Sequence, residues 1–414
     1  MQNLEVQQER LTAEIDKLAT ISDAPAPAVT RILFTKTELA GRAYIRQIAR
    51  DAGLSLREDA IGNIFMRWEG QNPKLPAVAT GSHIDAIPYS GKYDGVVGVL
   101  GAIEAIRALK RAGYLPQRAI EIIMFTAEEP TRFGLGCLGS RALSGQLTPE
   151  RMLTLKDKDG RPLDEVRREA GYTADLATVK LPKEHYKAFI ELHIEQGPRL
   201  ERAGIPIGVV TSIAAPATLR IQLSGDGGHA GAVLMPYRRD ALLAAAEIAL
   251  AVEKTAVESP SNDAVATTGI LDVYPGAVNS IPSQIKMEID IRDTNLNSRD
   301  AMVGQIQEAA GEICARRKIE CRCEMLNADP PIGCGPEVIT AAIRATEVLH
   351  LTHQKLVSRA YHDALFMGQI CPTGMIFVPS QHGYSHRPEE YTPPKEIANG
   401  VKVLAHALAS LASH

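Results

Sequence analysis

Three short apolar runs constrain this chain more than any other feature. LPAVAT (75–80), AIEIIMF (119–125) and KAFIELHI (187–194) each pass directly into a polar loop: a Gly-rich stretch, TAEEPTRFG and EQGPRLE respectively. Short runs of this kind read as buried strands. VVGVLGAIEAIRALKRA (96–112) repeats its apolar residues at helical spacing and carries basic residues in its last turn, where the helix dipole favours cations. Strands alternating with helices predict an α/β fold with a mostly parallel sheet flanked by helices. Ligands of such sheets sit beyond the carboxyl ends of the strands, where the three polar loops would cluster.

Around residue 210 the pattern changes. An alternating TLRIQLSG (218–225) is followed by GHAG, a helical stretch over 238–254, the segment TTGILDVYPGAVNSIPSQIKMEIDIRD, a helical stretch over 298–316 and a strand over 318–325. The order strand, helix, two strands, helix, strand fits a compact α+β unit. After DPPIG (329–333) the first style resumes, ending in the strand GMIFVPS (374–380). The expectation is a discontinuous catalytic domain, residues 1–211 and 329–414, with a smaller domain at 212–328 inserted in it. A chain of 414 residues is long enough for both.

Composition removes several function classes. With 45% hydrophobic and 23% charged residues the chain is not largely disordered. Against 49 acidic residues stand 45 Lys and Arg with no basic block, so a nucleic-acid partner is not expected. Only 5% of residues are aromatic, which gives base stacking or a membrane-interface belt little support. The N-terminal MQNLEVQQERLTAEIDKLA lacks the apolar core of a signal peptide. The most apolar helical stretch, ALLAAAEIALAV (241–252), contains Glu247 and is too short to cross a bilayer. No membrane association and a cytoplasmic location are expected. Cys321 and Cys323 fall on one face of the alternating IECRCEML, but a closed thiolate site needs four ligands, so reduced thiols are the expected state.

The chemistry concentrates at the strand ends. GSHIDAIPYSGKYDG (81–95) places His83, Asp85 and Asp94 after the first run. His and Asp on such a loop can approach one cation, or they can cap the next helix. Asp94 has two oxygens with which to bridge two cations. Glu128 lies beside Glu129 after the second run; adjacent carboxylates repel unless a cation or proton neutralises one. A division of labour follows, with Glu129 as ligand and Glu128 as acceptor of a proton from a metal-bound water. The third run carries His193, with Gln196 in the loop behind it, and QHGYSHRPEEY adds His382 and His386. Alone, each has a bland reading as a solvated turn or a core histidine. Together, imidazoles and carboxylates with one shared bridge suit a pair of divalent ions such as zinc or manganese. Such a pair polarises a carbonyl and acidifies a bridging water, which is hydrolase chemistry.

GSHID, KYDG, EEPTRFG, HIEQG, GHAG, NSIP, DIRD and GYSHRPEEY, in that order from about residue 15 to 410, resemble the motifs of the amidase/hydantoinase/carbamoylase family of two-metal amidohydrolases. That family lies within the aminoacylase and carboxypeptidase-like metallopeptidase clan. The resemblance implies a phosphorylase/hydrolase-like catalytic sheet with an inserted ferredoxin-like α+β domain that serves as lid and dimerisation surface. It implies two divalent ions per subunit (zinc or manganese, with cobalt also accepted) held by His83, Asp94, Glu129, His193 and His386. Asp94 would bridge them, Glu128 would be the general base, and Asp85 would orient the His83 ring. Gln196 would hold a ureido group and Arg292 a substrate carboxylate. His229 and Asn279 would also reach the substrate, His229 from the second subunit of a homodimer, where it would stabilise the oxyanion.

GHAGAVLMP, GAVNSIPS, SRAYHDALFM and GYSHRPEEY resemble the members acting on ureidoglycolate more than typical carbamoylases. The implied activity is hydrolysis of the carbamoyl C–N bond of a small ureido or N-carbamoyl carboxylate in purine and allantoin breakdown. Ureidoglycolate leads, followed by N-carbamoyl-L-amino acids and allantoate. A peptidase ranks behind, as does a homologue without catalysis, because every ligand and base position is filled. Many relatives carry Thr-Pro after HAG; here Ala232, Val233, Leu234, Met235 and Pro236 follow. Without the family, Arg292 would simply pair with Asp293 or another acid. His362 and Asp363 read as buried structural hydrogen-bonding groups.

Overall fold

The computed structural model describes residues 4–413, which divide into two compact units. The first unit takes the chain through Thr211, then Gly333–Leu356, then from His362 onward; the second takes Ser212–Ile332 and Val357–Tyr361.

The apolar runs form the strands Ala77–Ser82, Ile120–Met124 and Tyr186–Ile194, joined by Thr373–Val378. These four are almost wholly buried, which explains why their sequences are apolar without alternation. They pair in parallel, with Tyr186–Ile194 between Thr373–Val378 and Ala77–Ser82, and Ile120–Met124 beyond the latter. Their carboxyl ends therefore open on one edge. Outside this centre of the nine-stranded sheet, Ile64–Trp68 and Ser55–Glu58 extend one side in antiparallel pairs, and Ile207–Ile213 pairs antiparallel with Thr373–Val378 on the other. The sheet is thus of mixed orientation. A short turn suffices for the hairpin Ser55–Glu58/Ile64–Trp68, whereas each parallel pair needs a long crossover.

Helices Val96–Arg111, Pro336–Val348 and Pro394–Ala412 pack against the centre of this sheet. Leu100, Ile103, Val401 and Leu404 join Ile122, Ile190 and Ile376 in one core, each such side chain contributing about 2 kcal/mol. At Gly98 a Cβ would lie 2.5 Å from the Leu192 carbonyl oxygen and 2.5 Å from the Ser82 Cβ. The helix therefore rests directly on the two strands that carry His83 and His193.

The second unit is a four-stranded antiparallel sheet in the order Val265–Tyr274, Gln284–Asp293, Ala215–Ser224, Glu320–Ala328. Helices Ala241–Val257 and Leu296–Arg317 cover one face. Alternation puts Leu219, Ile221, Leu223, Ile285, Met287, Ile289 and Ile291 under them. The opposite face is polar, with Arg220 bound to Glu288 at 2.9 Å. Among the described residues no helix is long and apolar enough to cross a membrane.

Candidate metal centre

The carboxyl ends of the central strands bring two donor groups together. His83, Asp94 and His193 offer ligand atoms within 4.8 Å of one another, and so do Asp94, Glu129 and His386. Asp94 belongs to both. Its Oδ1 lies 3.5 Å from His83 Nε2 and 3.1 Å from His193 Nε2, and its Oδ2 lies 3.2 Å from His386 Nε2. His386 Nε2 is also 3.4 Å from Glu129 Oε1. One carboxylate thus turns a different oxygen to each group. Imidazole and carboxylate donors in this proportion suit divalent ions of the zinc or manganese class.

Both buried histidines are set to present a lone pair inward. His83 Nδ1 lies 3.1 Å from the Asp85 carbonyl oxygen and His193 Nδ1 lies 2.9 Å from the Ile194 carbonyl oxygen. In the neutral rings each Nδ1–H donates to that carbonyl, leaving Nε2 free as a donor atom for a cation. The Gly95 N–H donates to His193 Nε2 at 3.2 Å, consistent with that tautomer. Gly95 has φ +67°, and a Cβ there would lie 2.4 Å from His83 Nε2, so only glycine lets the loop carrying Asp94 pass the imidazole.

The Asp85 carboxylate stands between the His83 ring and the second strand-end loop. It lies 3.6 Å from His83 Nδ1, beyond hydrogen-bond reach, and accepts the backbone N–H groups of Glu128 at 3.3 Å and Glu129 at 3.0 Å. The Asp85 carbonyl holds the ring nitrogen, and the side chain ties the two strand-end loops together. Glu128 Oε2 stands 3.8 Å from His83 Nε2, close to the first donor group.

The electrostatics reflect crowded acids. Burial, with Asp94 second, pushes Glu129 from 4.5 to about 7. Burial also raises Glu128 well above the usual carboxylate range; the His83 charge opposes this, and Glu129 adds to it. Burial disfavours ionised Asp94, but hydrogen bonds from His193, His386 and His83 outweigh it and hold the carboxyl well below its usual range. His386 rises from 6.5 to about 9, chiefly through its hydrogen bond with Asp94. Without cations, protons are shared out among these groups.

Several contributors were not singled out from the sequence. Ser385 Oγ lies 2.9 Å from Asp94 Oδ2 and 2.9 Å from Glu390 Oε2, and Glu390 Oε1 accepts the N–H groups of Tyr93 at 2.8 Å and Asp94 at 3.1 Å. Glu390 therefore clamps the His386 loop to the Asp94 loop. The second Glu of GYSHRPEEY was the only hint. Glu191, which accepts Ser82 Oγ at 2.7 Å and the Ala364 N–H at 3.1 Å, forms a further donor group with His193 and His362. Gln196, at φ +56°, donates from Nε2 to Asp94 Oδ2 at 2.7 Å, while its buried Oε1 has no partner. Such an acceptor is left for an incoming N–H. His382 is exposed and belongs to neither donor group holding Asp94.

The remaining expected residues lie in the second unit. Gly228–His229 pairs with Ser280–Ile281, and the Asn279 carbonyl accepts the Ala230 N–H at 2.9 Å, so His229 and Asn279 share one hairpin-like corner. His229 is exposed, and its Nδ1 accepts the Gly231 N–H at 3.1 Å; the neutral ring then carries its proton on Nε2, facing outward as a donor. Arg292 holds Asp290, not Asp293, with Nε at 2.7 Å and a second nitrogen at 3.0 Å.

Comparison with known proteins places these features in context. Residues 79–410 match the model of peptidase family M20/M25/M40. The chain is 55% identical over 416 residues to a ureidoglycolate hydrolase of Arabidopsis thaliana, covering 99% of this chain and 87% of the relative. It is 38% identical over 408 residues to an N-carbamoyl-L-amino acid amidohydrolase of Geobacillus stearothermophilus, covering 98% and 99%. The crystal structure of AtUAH in complex with glyoxylate superposes with a TM-score of 0.92 at 55% identity, covering 99% and 98%.

Proposed function

Because the chain belongs to peptidase family M20/M25/M40, we propose that it is a metal-dependent amidohydrolase of ureidoglycolate. It cleaves the carbamoyl C–N bond with water, releasing ammonia and carbon dioxide; N-carbamoyl-L-amino acids and allantoate are the alternative substrates. The observation that carries this reading is the intact double donor group around Asp94 in a chain more similar to a plant ureidoglycolate hydrolase than to a carbamoylase.

In this reading His83, Asp94, Glu129, His193 and His386 would hold two divalent ions. Bound ions of the zinc, manganese or cobalt class supply carbonyl polarisation and a water acidic enough to ionise near neutrality. Cations bound there would favour the ionised form of the buried Glu128 carboxylate, which could then act as base. Glu128 takes the proton of the attacking water on a carboxylate oxygen and passes it to the departing nitrogen. The free Oε1 of Gln196 accepts an N–H of the ureido group. Arg292 exchanges the Asp290 carboxylate for that of the substrate, keeping a two-pronged contact. Asn279 adds a polar contact.

His229 donates its Nε2–H to the oxyanion from the partner subunit of a homodimer, with the second unit as lid and dimerisation domain. Exposed apolar side chains support an interface on that unit: Leu243, Leu250 and Val257 at seven-residue spacing on one helix, and Val265, Ile270 and Leu271 on the edge strand beside it. The reading is completed by a cytoplasmic location, for which the free cysteines speak.

The test is ammonia release by manganese-loaded protein from ureidoglycolate, allantoate, N-carbamoyl-L-amino acids and a dipeptide control. Turnover is expected to be fastest with ureidoglycolate. Faster hydrolysis of the dipeptide, or no ammonia from any ureido acid, overturns the reading.

A further inference from the structure

Three of the six cysteines lie in the second unit, on strand Glu320–Ala328 and helix Leu296–Arg317. Strand Glu320–Ala328 pairs with Ala215–Ser224 so that Cys321 lies opposite Leu223 and Cys323 opposite Ile221. Leu223 and Ile221 face the helices, and alternation puts both thiols on the same face. They are nevertheless exposed, because their strand forms the sheet edge. Cys314, in the last turn of helix Leu296–Arg317, is buried against that face, and the neighbouring Cys321 thiol holds the Cys314 thiol below the usual range. Cys321 Sγ and Cys323 Sγ are 4.0 Å apart.

We propose that Cys321 and Cys323, with Cys314 beside them, capture a thiophilic d10 cation of the zinc and cadmium class. Two sulfurs at about 2.3 Å from a tetrahedral cation stand about 3.8 Å apart, so the observed spacing needs little adjustment. The helix carboxyl end at Cys314 favours positive charge. Two of the nearby cations are already engaged: Arg317 binds Glu247 through Nε at 2.7 Å, and Arg316 binds the same carboxylate. From the sequence, two thiols fell short of a closed four-ligand site. The fold adds the third, and the exposed edge leaves the fourth position to water. The site is open and exchangeable, and its cadmium signal is read independently of turnover at the metal centre.

The experiment titrates cadmium(II) into the manganese-loaded, reduced full-length protein and follows thiolate-to-cadmium absorption in the ultraviolet. One equivalent per chain is expected to saturate the signal. C321S/C323S should abolish it, C314S should weaken affinity about tenfold, and ureidoglycolate turnover should be unchanged in all three proteins. Absence of the signal in the reduced protein, or its survival in C321S/C323S, overturns the proposal.

Discussion

The first unit treats two sets of buried acids in opposite ways. Glu104, in helix Val96–Arg111, is fully buried and meets the guanidinium groups of Arg10 and Arg111, the latter at 2.8 Å, together with the Gln7 N–H at 2.9 Å. Asp94, Glu128 and Glu129 are nearly as buried, yet the basic groups facing them are the imidazoles of His83, His193 and His386. Among the described residues no arginine or lysine forms an ion pair with any of the three. A guanidinium is always charged, so the fold itself completes Glu104. An imidazole is charged only by taking a proton, so the strand-end acids have no permanent counter-charge, and burial raises Glu128 and Glu129 toward their protonated forms. The difference separates an acid that serves the structure from acids that serve a site.

Substitutions can break that distinction. Glu128→Gln should lower kcat by about 100- to 10,000-fold while metal content, measured by elemental analysis, stays the same. If turnover survives, Glu128 is not the base. Glu104→Gln should do the reverse: Arg10 and Arg111 lose their counter-charge, stability falls by about 3 kcal/mol in denaturant melts, and metal content per folded chain is unchanged. Glu390→Gln keeps the shape of the clamp but weakens its charged contacts, and should loosen metal binding about tenfold.

The pH dependence of the metal-free protein gives a fourth test. Glu129 and Glu390, pushed by burial and then by Asp94 from 4.5 to about 7, bind protons more tightly folded than unfolded. Their contribution to stability is complete below pH 4.5 and is lost as pH rises through about 7. His386, raised from 6.5 to about 9, adds a contribution that is complete below pH 6.5 and lost through about 9. Thermal melts in chelator should therefore fall across both windows, and saturating manganese should flatten the curve because cations replace the protons. Arg220→Ala marks the small end: this half-exposed pair with Glu288 should change stability by no more than about 1 kcal/mol.

The strand-end residues were legible because each follows an apolar run that could only be a buried strand. Once the strands are parallel, their ends share one edge, and His83, Asp94, Glu129 and His193 converge without further information. The antiparallel flanks were less legible, since Ile64–Trp68 is short and owes its place to pairing with Ile120–Met124, and Ser55–Glu58 in turn pairs with Ile64–Trp68. Contacts made by backbone were invisible: no pattern shows that the Asp85 carboxylate would take the Glu128 and Glu129 N–H groups. The Glu390 clamp and the company of Cys314 depend on segments distant in sequence, joined only by the fold.

The most direct measurement of the central claim is the manganese stoichiometry of the wild-type chain and of Asp94→Asn after equilibrium dialysis. Two ions per chain in the wild type, fewer than one in Asp94→Asn and loss of ureidoglycolate turnover with them are the predicted results. A wild-type chain that saturates at one ion, or an Asp94→Asn variant that keeps two ions and its activity, would contradict a centre built around the two oxygens of Asp94.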